Sequence, residues 1–149
     1  MGMFTAFDIN ASGMTAQRFR MDIISENVAN AQTTRTEDGT PYRRKVVTFE
    51  QKGGQTPFSR VLNKHFDKYS GEGVKVSGVY EDEVTEMKLV YDPSHPDANA
   101  DGYVEMPNVN PITEMTNLID ASRAWEANST AFNASKSMAM KALQLGSGT

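Results

Sequence analysis

Cysteine is absent from all 149 residues. That one absence excludes disulfide staples, thiolate zinc sites and cysteine nucleophiles, and it suits an oxidising compartment, where stray thiols are a liability. Long apolar runs are also missing. Nothing approaches the roughly 18 consecutive apolar residues of a membrane-spanning helix, and the opening "MGMFTAFDINASGM" lacks the basic start of a secretory signal. Ala6 stands where a myristoylation signal wants Ser or Thr. Export would need another route. Positive charge is scarce as well: 15 basic against 19 acidic residues, a net charge of −4, gives no electrostatic footprint for DNA, RNA or anionic lipid.

Catalytic vocabulary is equally thin. His65 and His95 form no H-x-x-x-H pair that could begin a zinc site. The nucleophile-elbow and phosphate-loop patterns do not occur. Gly71-x-Gly73 opens like a dinucleotide fingerprint, but Val76 occupies the third glycine position. Glu81, Asp82, Glu83 and Glu86 cluster, yet paired carboxylates do acid–base work only when one is desolvated. They fall in a polar turn between predicted strands, which favours solvated surface. Asn10, Asn128 and Asn133 match the glycosylation pattern, but all three lie in predicted helices. No catalytic residue, metal ligand or cofactor site is expected.

One acidic stretch is closer to a motif. In "DANADGYVEMPN", Asp97, Asn99, Asp101 and Gly102 reproduce the opening of a calcium loop. The twelfth position, where the loop needs a bidentate glutamate, is Asn108, and Pro107 precedes it. The entering segment reads as a strand rather than a helix. A turn built from turn formers, with Gly102 at a positive φ, is the stronger reading.

What is present lies at the ends. Residues 1–33 carry 5 charged side chains and residues 111–149 carry 6, leaving 23 for the 77 between. A solvated helix normally wears many charges on its outer face, so these ends are expected to face protein around most of their circumference. Leu118, Ala121, Trp125, Asn128, Phe132, Ser135, Ala139 and Ala142 alternate at spacings of 3 and 4, the heptad period of a packed seam. Asn110–Pro111 supplies a cap and a first-turn proline, Glu114 lies in the first turn, and Gly146 is a stop. A helix over 112–145 would be about 50 Å long.

The N-terminal end repeats the pattern less cleanly. Phe7, Met14, Met21 and Val28 form one heptad row, and Phe4, Ala11, Arg18 and Ser25 the other. Thr5 and Asp8 offer a capping box, and Gly13 weakens the helix by about 1 kcal/mol against alanine. With Arg18, Ser25, Asn128 and Ser135 in the seams, neither helix should be stable alone. Between them, residues 42–49, 74–80 and 87–91 read as strands, punctuated by Gly53, Gly54, Gly71 and Gly73 and ended by Asp92–Pro93. Arg43, Arg44 and Lys45 read as edge charges that discourage aggregation. The fold class is α+β: paired helices at 1–33 and 111–149, forming an inner coiled-coil domain, and a β-rich segment at 34–110.

Two stretches resemble a known family. "ASGMTAQRFRMDIISENVANAQTTRTEDGTPYRRKVVTFE", with Ala29, Asn30 and Thr33 as an A-N-x-x-T element, is similar to the N-terminal region of bacterial flagellar rod and hook proteins. The E-M-x-x-L-I-x-A-x-R-x-[YF]-x-A-N pattern of their C-terminal helix falls on Glu114 to Asn128, with Trp125 where the family usually has Tyr or Phe. The linking features at 39–45 and 88–109 resemble those of a short proximal rod component, and about three-quarters of the chain is covered, residues 51–73 excepted.

The resemblance implies a structural subunit of the periplasmic rod, exported unfolded by the flagellar type III apparatus. It would assemble helically with copies of itself and other rod proteins into a torque-bearing shaft, with no nucleic-acid partner. The assembly residues it points to, with the heptad rows, are Phe7, Met14, Met21, Val28, Asn30, Leu118, Ala121, Arg123, Trp125, Asn128, Phe132 and Ala139. Another short rod or rod–hook subunit, or a weak calcium-binding periplasmic protein, are the alternatives.

Overall fold

The computed structural model describes residues 3–52 and 73–146. Outside them lie the expected turn glycines at 53, 54 and 71, His65, and the terminal Ser-Gly-Thr. The element order is α1 (Met3–Ala29), β1 (Lys45–Gln51), β2 (Val74–Glu81), β3 (Lys88–Tyr91), β4 (Tyr103–Met106) and α2 (Pro111–Gly146). The α+β class is as the sequence indicates, with a long helix at each end and two small sheets between.

The helix boundaries follow local chemistry. At the start of α2 the Asn110 side chain accepts from the Ile112 amide, and its carbonyl accepts from the Glu114 amide, satisfying two amides that would otherwise lack partners. Helix α1 starts at Met3, so Thr5 and Asp8 lie within it rather than capping it. Its exit is built by the A-N-x-x-T element. Asn30 Nδ2 donates to the Glu26 carbonyl, Asn30 Oδ1 accepts from the Thr33 hydroxyl, and the Thr33 carbonyl accepts from the Tyr42 amide.

Strands β1 and β2 form one two-stranded sheet, β3 and β4 the other. The second is antiparallel with Leu89 opposite Glu105 and Tyr91 opposite Tyr103. Strand β4 has no counterpart among the expected strands: four residues inside an acidic loop give too short a period-2 signal. The loop before it is a turn, as expected, with Gly102 at φ +81°. The side-chain oxygens of Asp97 and Asn99 serve the protein itself. Asp97 accepts from the Thr34 hydroxyl and lies 3.6 Å from Arg35, while Asn99 Oδ1 accepts from the Asp101 and Tyr103 amides.

The chain divides into two compact units. The first, here the seam unit, comprises Met1–Arg18, Phe49–Ser77 and Ser122–Thr149; the second, the clasp unit, comprises Phe19–Thr48 and Gly78–Ala121. Each takes a length of both helices.

Candidate assembly site

In the clasp unit the helices are joined by polar groups. Asn27, 1 % exposed, sits on the last turns of α1 and fulfils all of its amide's roles at once. Its Nδ2 donates to the Lys45 carbonyl and to Glu114 Oε2; its Oδ1 accepts from the Lys45 amide and the Tyr42 hydroxyl. Glu114, also 1 % exposed, is the first-turn acid of α2. Its carboxylate takes the Arg44 guanidinium at 2.9 Å through both Nε and a terminal nitrogen, and accepts from Asn117. A buried carboxylate survives only when paired and fully hydrogen-bonded, and this one is both.

The network extends outward. Arg44 reaches Asp82 at 3.5 Å, Lys45 pairs with Glu26, and buried Asn108 accepts from the Arg44 amide while donating to the Asp82 and Thr85 carbonyls. Burial pushes the Tyr42 phenol well above its ordinary pKa, with the Glu26, Glu81 and Glu114 carboxylates adding to the effect. Asp82 is held below the usual carboxylate range, chiefly by the Thr85 amide, then by the Thr85 hydroxyl, the Val84 amide and Arg44. Arg44 and Lys45 are therefore not edge charges: both are drawn inward, and of the three only Arg43 is left exposed. Asp82 likewise leaves the solvated cluster at 81–86 to cap a turn. The arrangement clamps backbone in place and presents no open acid–base pair.

The seam unit joins the helices by shape. Phe7 and Phe132 meet edge to face, centroids 5.0 Å apart. Gly13 is buried beneath Asn128: a Cβ there would lie 2.7 Å from Asn128 Oδ1, whose amide is held by a bond from Nδ2 to the Ala124 carbonyl. So Gly13, expected as a weak point, is a close-packing point. At Gly73, φ +80°, an added Cβ would fall 2.3 Å from Ser12 Oγ, which accepts from the Val74 amide and donates to the Ile9 carbonyl. Gln17 Oε1 is buried with no hydrogen-bond partner among the described residues, a state that costs about 1–3 kcal/mol.

The expected assembly residues are spread over both units. Ala121 (0 % exposed) and Ala139 (8 %) are buried; Phe7, Met14, Met21, Val28, Asn30, Leu118, Asn128 and Phe132 are half-buried; Arg123 and Trp125 are exposed. On α1 the fully buried residues are Gly13, Ala16, Ile24 and Asn27. At 100° per residue, the row of Phe4, Ala11, Arg18 and Ser25 lies on the opposite side, with Phe4 73 % exposed. Apart from Ile24, small and polar residues hold the contact face, so apolar periodicity points to its flank. Asn27 and Tyr42 have no individual signal in the sequence, while Arg44 and Lys45 read as edge charges and Asn108 as the unsuitable twelfth residue of a calcium loop; the stretches that resemble the family contain all five.

Among the described residues no group of three or more His, Cys, Asp or Glu is placed to hold a metal ion, and no helix is long and apolar enough to cross a membrane. The comparisons then define the class. Residues 7–35 match the family described as flagella basal body rod protein, and residues 100–145 match the C-terminal family of flagellar basal body rod FlgEFG proteins. Flagellar basal-body rod protein FlgC of Bacillus subtilis is 48 % identical over 98 % of this chain and 99 % of its own length. The FlgC proteins of Borreliella burgdorferi and Salmonella typhimurium are 44 % and 40 % identical, each over at least 97 % of both chains. The chain belongs to the FlgC family and is a structural subunit of the flagellar basal-body rod.

Proposed function

We propose that the chain polymerises helically, with copies of itself and other rod proteins, into the shaft that carries motor torque across the periplasm. In this reading its work is mechanical and involves no catalysis, and it leaves the cell unfolded through the flagellar type III apparatus. Residues 1–33 and 111–149 pair as an inner coiled-coil layer, with 34–110 outside. One observation carries the reading: apolar side chains stand exposed along α2, including Ile112 (77 %), Met138 (65 %) and Leu143 (64 %), with Trp125 half-exposed among them. Scattered apolar surface is ordinary, but a succession of large residues on one charge-poor helix marks a contact surface.

Trp125, Arg123 and the half-buried rows are the proposed interface, completed when neighbours arrive. Trp125→Ala or Phe132→Ala should abolish swimming while leaving export of the chain intact. Cells that swim normally with either change would remove the seam from the assembly site. Among the alternatives, calcium binding finds no support in a loop whose Asp97 is engaged by Thr34 and Arg35.

A further inference from the structure

The two faces of the β3–β4 hairpin differ. Antiparallel pairing puts Lys88, Val90, Val104 and Met106 on one face, where β4 is covered, Val104 being 2 % exposed and Met106 half-buried, while Val90 on β3 keeps 47 %. Leu89, Tyr91, Tyr103 and Glu105 share the other. That second face is uncovered: Leu89 and Tyr91 are each 64 % exposed and Tyr103 43 %, with the two tyrosine rings 5.2 Å apart in an edge contact. Tyr103 and Glu105 also line a cleft of about 430 Å3, whose wall includes Thr34, Arg35 and Asp97. An apolar sheet face beside a polar cleft with a carboxylate at its edge is a shape that accepts a helix carrying a cation.

The same chain carries such a helix. On α2, Lys136, Met140 and Leu143 follow at i, i+4 and i+7, so they share one stripe. Met140 is 53 % and Leu143 64 % exposed, and Lys136 is exposed too. The stripe spans about 10 Å at 1.5 Å per residue, and the four-residue strands span about 13 Å. Charge agrees with shape. Among the described residues the clasp unit carries fourteen carboxylates and six bases, whereas the seam unit carries three carboxylates and six bases. Neither Glu105 nor Lys136 is ion-paired with a described residue.

We propose that the Leu89–Tyr91–Tyr103–Glu105 face docks the Lys136–Met140–Leu143 stripe of a second copy of this chain. Both surfaces are exposed within one chain, so each remains available to another. The contact is heterologous, one patch against a different patch, and such contacts propagate into open filaments rather than closing as dimers. Opposite net charge on the two units speeds the encounter and sets the direction of stacking. The proposal rests on the polymer reading above and names one of its interfaces.

The absence of native cysteine makes the test direct. Purified Leu89→Cys chain is mixed with purified Met140→Cys chain and oxidised at low salt. The mixed disulfide should form roughly tenfold faster than either self-disulfide, and salt near 0.5 M should remove most of that advantage. Glu105→Lys in the first chain should slow the reaction, and Lys136→Glu in the second should restore it. Equal rates for mixed and self pairs overturn the proposal. So does failure of the charge swap to restore the rate.

A second arm uses basal bodies from cells carrying both cysteines in one chain. Oxidation should give a ladder of cross-linked multimers that neither single cysteine gives. Swimming cells with the chain in the rod but no ladder would overturn this contact and leave the polymer reading standing. Absence of the unmodified chain from isolated rods would instead overturn the polymer reading.

Discussion

The two units join the same pair of helices by opposite means. In the clasp unit, Asn27, Arg44 and Glu114 hold each other through directed bonds, each group satisfied by two or more partners. In the seam unit, Phe7 and Phe132 touch through ring edges, Gly13 lets Asn128 approach, and Gln17 Oε1 has no partner among the described residues. A satisfied buried network specifies a single arrangement and is costly to break in part. A contact of small residues and half-exposed aromatics is weaker and more easily re-formed against another surface. One unit is closed by its own directed bonds; the other, in the proposed assembly, would be completed by neighbours.

That contrast is open to attack, most forcefully at Glu114. Glu114→Ala should cost about 3 kcal/mol, the low end for breaking a buried pair because Arg44 keeps Asp82 and some solvent. The check is the denaturant midpoint of the purified chain. An effect below that of Phe132→Ala would invert the ranking of the units. Asn27→Ala should follow at about 2 kcal/mol, since it strands the Lys45 amide and the Tyr42 hydroxyl. Hydrogen exchange at the Lys45 amide would report it directly.

In the seam unit the expected effects are smaller. Gly13→Ala combines a helix-propensity gain of about 1 kcal/mol with a clash against Asn128 Oδ1, so alone it should be near neutral. Made in an Asn128→Ala background, it should stabilise by about that full amount. A double-mutant cycle measures the coupling, and additivity would show that the two residues do not share space. Smallest is the acid response of Asp82. Its folded pKa is depressed, so its contribution is complete at neutral pH and is lost as pH falls below the ordinary carboxylate value of about 3.9. Comparing Asp82→Asn with the parent chain from pH 6 to pH 2 should show the difference shrinking as acid is added.

The sequence reveals the units unequally, for a physical reason. Long helices announce themselves over dozens of residues, and Asn110, Pro111 and Gly146 punctuate α2 as their chemistry requires. The burial stripe of α2 is legible through Ala121, Asn128, Phe132 and Ala139, but Trp125, the largest member of that row, is 37 % exposed. On α1 the signal misleads, because Ile24 is the one large apolar residue among the buried members of the contact face, beside Gly13, Ala16 and Asn27. The clasp is invisible to periodicity altogether. Its members are mostly charged and amide residues drawn from four segments, and only their partners distinguish them from surface groups. The family stretches contain them without saying why.

The Asn27–Glu114 bond joins residues 87 apart in sequence. Closing so long a loop costs about 4 kcal/mol in chain entropy by simple scaling, and the bond cannot form until both ends are free on the same side of any exit. A chain threading a pore with its N-terminus leading would present Asn27 early, with Glu114 still inside. On the proposed export route the carboxylate would be a late latch: its bond to Asn27 could close the unit only after three-quarters of the chain had cleared the exit.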